Sequence, residues 1–329
     1  MPSPAVGRIV IRLLQSAGMG GLGLLLGGTL LASTARFLWI GELLANTRFL
    51  LGVGGMLTTA LLCIAWRPRL AVLSLALGTL HLVPVWSLSL DAQPVPDCGG
   101  PALRVAALNL WMGNADVHAV REFVDAFEPD VLAFSEVANA WPATFAEWSD
   151  VYPHRAVAPA WPYGIALLSR FPLRDVRIVD APNQGPPWDP DRTRPDCITA
   201  TIEVQGVELQ LIAVHPQRPG LAWRNRARGF LFEEIVARGA SGPTLLMGDL
   251  NATSYSPAFL DLVRRTGLMD SRQGFGRNAS WRGLRGPSLP WLTLDHVLVR
   301  DVAVIERGVG PDVGSDHLPI TAVVQLPHM

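Results

Sequence analysis

The sequence predicts an α/β domain built on mixed β-sheet, preceded by about three membrane-crossing helices. Two patterns carry this. Three long apolar stretches fill the first 90 residues, and from residue 103 onward short strand-like apolar runs alternate with segments of helical period. A third observation concerns where polarity falls: many of the strand-like runs end abruptly in a carboxylate, amide or imidazole. The chain therefore divides into a membrane module over residues 1–92, a linker over 93–102 and a globular domain over 103–329.

Composition agrees with this division. The 329 residues are 49% hydrophobic and only 17% charged, with a mean hydropathy of +0.27, too apolar for an ordinary soluble enzyme of this length. All 27 basic residues are arginine, which excludes chemistry that needs a lysine nucleophile or Schiff base. A formal net charge of -1 supplies no bulk attraction to nucleic acid.

The apolar stretches run over residues 13–35, 49–66 and 70–90, each close to the ~20 residues that cross a hydrocarbon core. The first also has features of a signal peptide, with Arg8 and Arg12 ahead of it and small residues at 32–35. Its length and the two stretches that follow favour a retained helix. Arg8 and Arg12 precede the first span, and Arg67 and Arg69 flank Pro68 between the second and third, so both places belong on the cytoplasmic side. Three crossings then put residues beyond 90 outside, a multi-pass protein of the cell membrane with an extracytoplasmic domain. The pair Gly23 and Gly27 has the spacing of a helix-packing motif. The proline- and glycine-rich run over 91–101 marks the boundary on which the linker is placed. Cys98 and Cys197 lie beyond the spans, where they either pair or remain thiols; no cysteine spacing fits a metal site.

In the globular domain, residues 103–108 read as a strand, 117–127 as a helix, and 131–134 and 165–168 as buried strands. Residues 198–204 and 207–214 form a hairpin about Gln205 and Gly206. A helix over 221–237, a strand over 244–247, a helix over 257–266 and strands over 294–299, 303–306 and 318–324 complete the order. Hairpins mixed with crossovers imply a mixed sheet rather than a doubly wound parallel one.

The polar motifs are LNLW with Asn109, FSEV with Glu136, AVHP with His215, MGDLN with Asp249 and Asn251, LDHV with Asp295, and GSDH with Asp316 and His317. Side chains at strand ends converge on one sheet edge, and this mixture of oxygen donors and imidazoles suits a hard divalent cation and phosphate chemistry.

In wording and order these motifs resemble the endonuclease/exonuclease/phosphatase superfamily, from about residue 103 to 325. The resemblance implies a four-layer α/β sandwich of two packed mixed sheets flanked by helices, and hydrolysis of phosphoesters with Mg2+ or Mn2+. It makes Glu136 the principal metal ligand, supported by Asn109 and with Asp316 nearby. Asp249 is expected to orient or deprotonate the attacking water, Asn251 and His215 to hold phosphate oxygens, and Asp295 to buttress His317 as it stabilises transition-state charge. Trp111 stands where many nuclease relatives carry an acidic or amide residue. His296 stands where many have tyrosine and is given no catalytic role. Arg192 and Arg194 read as solvated loop arginines, and the strand ending at Arg170 as an ordinary strand.

A membrane anchor favours substrates in the same membrane, a lipid phosphate or pyrophosphate. The layout is similar to actinobacterial membrane phosphatases linked to glycopeptide-antibiotic resistance, which implies undecaprenyl-type carriers. The expected partners are accordingly membrane lipids and a lipid-linked phosphate, with nucleic acid a weaker candidate and no protein partner. Rival readings are an extracytoplasmic nuclease, a phospholipase C or sphingomyelinase-like phosphodiesterase, and a scaffold without activity; the intact motif set argues against the last.

Overall fold

The computed structural model describes residues 4–90, 98–180, 194–238, 242–283 and 291–328. The chain forms two compact units, one of residues 1–88 with 255–257 and the other of residues 89–254 with 258–329.

The first unit holds α1 (Pro4–Ser33), α2 (Trp39–Asn46), α3 (Arg48–Ile64) and α4 (Pro68–Leu90). Two of these, over Val6–Ser33 and Pro68–Leu88, are long and apolar enough to cross a membrane; α2 and α3, bent by 65° at their junction, make a third if they act as one span. The segment between the first two apolar stretches thus contains a helix of its own, α2. Close packing comes from small residues. A Cβ at Gly18, Gly21 or Gly28 of α1 would come within 2.8, 2.6 and 2.8 Å of Leu62, Thr58 and Leu51 of α3, and one at Gly55 would stand 2.7 Å from Gly78 of α4. Gly23 and Gly27 have nothing within 4 Å of that position, so the sequence-evident pair is not the packing pair. Between α3 and α4, Trp66 adopts φ 56°, and bonds from Trp66 N–H to Cys63 and from Arg67 N–H to Leu62 close the helix end as a Schellman turn.

The second unit is a sandwich of two six-stranded mixed sheets with helices on the outside. The first sheet contains β1 (Ala102–Asn109), β2 (Val131–Ser135), β3 (His154–Ala158), β4 (Ile165–Ser169), β11 (Ala303–Val309) and β12 (Ile320–Gln325), in the order β11-β12-β1-β2-β4-β3. The second contains β5 (Arg174–Asp180), β6 (Pro195–Val204), β7 (Val207–Val214), β8 (Thr244–Asp249), β9 (Met269–Asp270) and β10 (Asp295–Arg300), in the order β5-β6-β7-β8-β10-β9. Only the β1–β2 and β7–β8 neighbours are parallel.

The layering follows from the period-2 pattern. Val105 and Ala107 of β1, Leu167 of β4, Leu211 of β7 and Met247 of β8 point between the sheets and form the inner core. Alternate residues on the same strands face outward yet are also apolar, because helices cover them. Leu108, Phe134 and Leu168 pack on Phe123 of α5 (Val117–Phe127) and Phe145 of α6 (Trp141–Glu147). Ile212, Leu246 and Leu298 pack on Leu231 of α7 (Ala222–Arg238) and Phe259 of α8 (Pro257–Thr266). Such strands read as continuous apolar runs, which is why they were legible as buried.

The hairpin turns at Gln205 and Gly206, with φ of 50° and 86°, the left-handed pair that a two-residue hairpin requires. Asp116 caps α5 by accepting from Ala119 N–H at 3.0 Å. No disulfide joins Cys98 and Cys197, which are both buried.

Candidate functional site

Both parallel strand pairs deliver polar residues at their C-terminal ends. Asn109 is the last residue of β1, Glu136 follows β2, His215 follows β7 and Asp249 ends β8. Asp295 begins β10, antiparallel to β8, and is the register partner of Asp249. The segment before β12 brings in Asp316 and His317, where His317 bridges to Trp281. Gly248, with φ 139°, lets β8 approach β7 closely: a Cβ there would stand 2.1 Å from the Val214 carbonyl oxygen.

Asn109 ties the centre together. Its Nδ2 donates to Glu136 Oε1 at 3.1 Å and to Asp249 Oδ2 at 3.0 Å, while its Oδ1 accepts from Trp111 N–H at 2.9 Å. The reverse amide orientation would aim an oxygen at two carboxylates, so chemistry fixes the assignment. In this arrangement Asn109 orients two carboxylates and presents no oxygen of its own beside Glu136. Ser315 Oγ accepts from His317 N–H at 3.0 Å and donates to the Asn109 carbonyl at 2.7 Å, joining the GSDH turn to the end of β1.

Glu136 is half-buried and its other oxygen accepts from Met112 N–H at 3.0 Å. One donor per oxygen leaves lone pairs for a hard cation, so the donor chemistry at Glu136 fits a divalent metal. Asp316, also half-buried, accepts from Trp281 Nε1 at 3.3 Å with one oxygen. Asp249, Asp295 and His317 also present ligand atoms that lie within 4.8 Å of one another. Their chemistry points elsewhere. Burial opposes a charge on His317, but the Asp295 carboxylate, through its field and its hydrogen bond, overcomes this and raises the imidazole to about 10. An imidazolium is not a metal ligand, and a positive charge already stands between the two aspartates.

His317 Nδ1 lies 2.6 Å from Asp295 Oδ2, which also accepts from Ser280 Oγ at 2.6 Å. This fixes the ring and leaves Nε2, 3.8 Å from Asp249, as the outward donor. Burial pushes Asp249 well above the usual carboxylate range, against the pull of His317. Asn251 N–H donates to Asp249 Oδ1 at 2.8 Å, and its Nδ2 donates to the Pro216 carbonyl at 3.0 Å. His215 Nε2 is 3.7 Å from Asp249 Oδ2. Burial, then the charges of Arg194, His317 and Arg218, keep His215 neutral well below its ordinary range.

The backbone is strained where the site is built. Trp111, Glu136 and Asn251 adopt φ of 59°, 57° and 49°, at a cost of roughly 1–3 kcal/mol for each residue that is neither glycine nor asparagine. Trp111 folds back over Gly113, where a Cβ would come within 2.7 Å of the indole.

All eight expected residues, Asn109, Glu136, His215, Asp249, Asn251, Asp295, Asp316 and His317, thus lie at one end of the sandwich or in the segment bonded to it. Arg194 departs from expectation. It is buried, pairs with Asp196 at 3.0 Å and donates to the His215 carbonyl; the Asp196 carboxylate offsets the desolvation that a solvated loop arginine would avoid. Arg192 lies outside the described residues. His296 is a buried core histidine, its Nε2 2.8 Å from the Ala252 carbonyl and its ring against Phe259. Ser280 and Asp196 had no motif to announce them, whereas Ser315 stands inside GSDH.

The profile of the Endonuclease/Exonuclease/phosphatase family matches residues 106–317, from mid-β1 to the site imidazole. The chain belongs to this family. Its members' shared chemistry makes the protein a metal-dependent phosphoric ester hydrolase. No curated protein sequence matches the chain. Among solved structures, an endonuclease/exonuclease/phosphatase from Beutenbergia cavernae is similar at 20% identity and TM-score 0.54, covering 69% of this chain and 72% of its own. A family protein from Bacteroides thetaiotaomicron matches at 16% identity and TM-score 0.54, over 71% of this chain and 100% of its own. A 3' phosphatase from Neisseria, solved with a product DNA hairpin, matches at 21% and 0.52, over 67% and 98%. At these identities the likeness concerns the fold.

Proposed function

We propose that the protein is a membrane-anchored, Mg2+-dependent phosphoester hydrolase whose catalytic unit lies outside the cytoplasm and acts on a lipid phosphate or pyrophosphate, such as undecaprenyl pyrophosphate. The observation that supports this reading is that one chain joins a domain of the endonuclease/exonuclease/phosphatase family, with the eight expected polar residues gathered at one end, to two or three helices apolar enough to span a bilayer. The similarity in layout to membrane phosphatases linked to glycopeptide-antibiotic resistance points the same way. Tethering raises the local concentration of substrates held in the same membrane.

In the proposed mechanism Asp249, whose burial strengthens it as a base, aligns a water molecule and takes its proton as the water oxygen bonds to phosphorus and the bond to the leaving oxygen breaks. His317 donates from Nε2 to a nonbridging oxygen and supplies a fixed positive charge, held by Asp295. Neutral His215 and Asn251 steady the remaining oxygens. Asn109 keeps Glu136 and Asp249 in register with each other. Glu136, with Asp316 nearby, would hold a divalent cation, which would supply charge neutralisation to the phosphoryl group.

The test is a substrate panel on purified full-length protein: undecaprenyl pyrophosphate, phospholipids, sphingomyelin and DNA, each with EDTA and with Mg2+ or Mn2+ restored. Release of phosphate from the prenyl pyrophosphate, abolished by EDTA, is expected. Turnover of DNA alone would replace this reading with a nuclease.

A further inference from the structure

We propose that Arg218, set beside His215 by Tyr163, forms a subsite for a second phosphate group adjoining the reacting one that His215 contacts, so that the site selects diphosphates over monophosphates. This deepens the proposed function and rests on it for the identity of the lipid, though not for the anion chemistry.

Three observations on the rim beside Asp249 carry the inference. His215 is 2% exposed, yet its ring makes no hydrogen bond among the described residues: Nδ1 is buried without a partner and Nε2 stands 3.7 Å from Asp249. A buried imidazole without a partner is destabilising unless a ligand satisfies it. Arg218 is exposed, and its guanidinium has a single contact among the described residues, from Nη2 to Tyr163 Oη at 3.3 Å, with no carboxylate to neutralise it. Its charge is among those that bear on His215, which places it on the same side of the site.

Tyr163 links the two. Its ring meets the His215 ring edge-on at 6.1 Å and lies 4.8 Å from the Arg194 guanidinium. The two arginines therefore have different tasks. Arg194 is committed to Asp196 and the His215 carbonyl, and so holds His215 and Tyr163 in place. Arg218 keeps its donors for a ligand. A guanidinium beside a neutral imidazole suits two linked phosphates, the uncharged ring donating to an oxygen of one and the planar fork donating to two oxygens of the other.

A phosphate reaching Arg218 has two sources, the second phosphate of the substrate or the headgroup of a neighbouring anionic lipid. Calorimetric titration of the detergent-solubilised full chain with inorganic pyrophosphate and with inorganic phosphate, in EDTA so that neither turnover nor chelation contributes, separates them from one another when paired with flotation on phosphatidylglycerol vesicles. Wild type is expected to bind pyrophosphate about tenfold or more tightly than phosphate, and R218Q to reduce that preference to about twofold, the loss falling on pyrophosphate. R218K should recover part of it, since a point charge replaces the fork. An unchanged preference in R218Q, an equal loss for both anions, or a loss confined to vesicle binding would each overturn the proposal. An Arg218-dependent preference in a protein that hydrolyses only DNA would sink the lipid reading and leave the subsite standing.

Discussion

His317 and Asp295 meet at 2.6 Å through Nδ1 and Oδ2, with Ser280 Oγ on the same carboxylate oxygen. The pair fixes both the ring's orientation and its charge, leaving Nε2 as a donor towards Asp249. Asp295→Asn keeps the shape and removes the charge. Turnover at neutral pH should fall by about two orders of magnitude, the scale of losing a charge-stabilising group. Because the raised imidazole stays protonated up to about 10, the alkaline limb of the wild-type rate profile should lie high and move towards neutrality in the variant. The same shift links to stability: the pair's contribution is complete below the unfolded imidazole value of ~6.5 and lost as pH rises through about 10. A pH-rate profile with an unmoved alkaline limb would contradict this assignment.

Glu136→Gln should abolish hydrolysis while leaving the fold intact. The amide preserves volume, but it removes the anionic oxygen proposed to hold the cation and places an NH2 group among donors from Asn109 and Met112. Activity assays at saturating Mg2+, with circular dichroism as the control on folding, check it. Near-wild-type turnover would sink the metal assignment.

The site was legible because its chemistry falls in contiguous motifs at strand ends, where a polar residue interrupts an apolar run. Glu136 after VLAFS and Asp249 after TLLMG are visible for that reason. Partners supplied by isolated residues were not visible: Ser280 sits in an irregular segment, and Arg194 looked like a loop residue until Asp196 came into ion-pair distance. The fold shows the same division. Strands buried on both faces announced themselves, while β5 at a sheet edge is nearly all exposed and β9 is only two residues long, so neither carries a hydrophobic period. In the first unit the packing glycines of α1, spaced irregularly at 18, 21 and 28, were hidden by the more regular pair at 23 and 27.

His296 should make the fold acid-sensitive. Burial, partly offset by Asp270, lowers its imidazole to about 4, so the unfolded chain binds the proton more readily. Stability is therefore complete above the unfolded value and declines as pH falls from ~6.5 towards 4, by about 2 kcal/mol at pH 5 from this group alone. His296→Gln keeps a donor for the Ala252 carbonyl and cannot acquire the charge. Chemical denaturation at pH 7 and pH 5 should show a smaller difference in the variant than in wild type; an unchanged difference would refute the prediction.

The number of crossings decides on which side the catalytic unit lies. Arginines at 8, 12, 67 and 69 favour an inside N-terminus and an inside turn between α3 and α4, which requires the bent α2–α3 pair to act as one span. A reporter that is active only outside the cytoplasm should therefore work when fused after Met329 and fail when fused within residues 67–69. The reverse pattern would place the catalytic unit inside and remove the geometric basis for an extracytoplasmic substrate.

Removing the helical unit should separate catalysis from substrate access. A chain beginning near residue 98 retains both sheets and every residue of the proposed site. It should hydrolyse a short, soluble phosphoester at a rate near that of the full chain. On substrate embedded in bilayers it should lose at least about tenfold, because a bimolecular encounter replaces a local one whose effective concentration reaches roughly millimolar for short tethers. A nuclease would respond otherwise: its rate on DNA in solution would barely change without the helices and would fall steeply with salt. Rate measurements of both forms on soluble ester, bilayer lipid and DNA across a salt series therefore distinguish an anchor that presents lipid from one that only retains an enzyme at the surface. Equal rates of the two forms on bilayer lipid, with salt-sensitive cleavage of DNA, would reverse the substrate ranking.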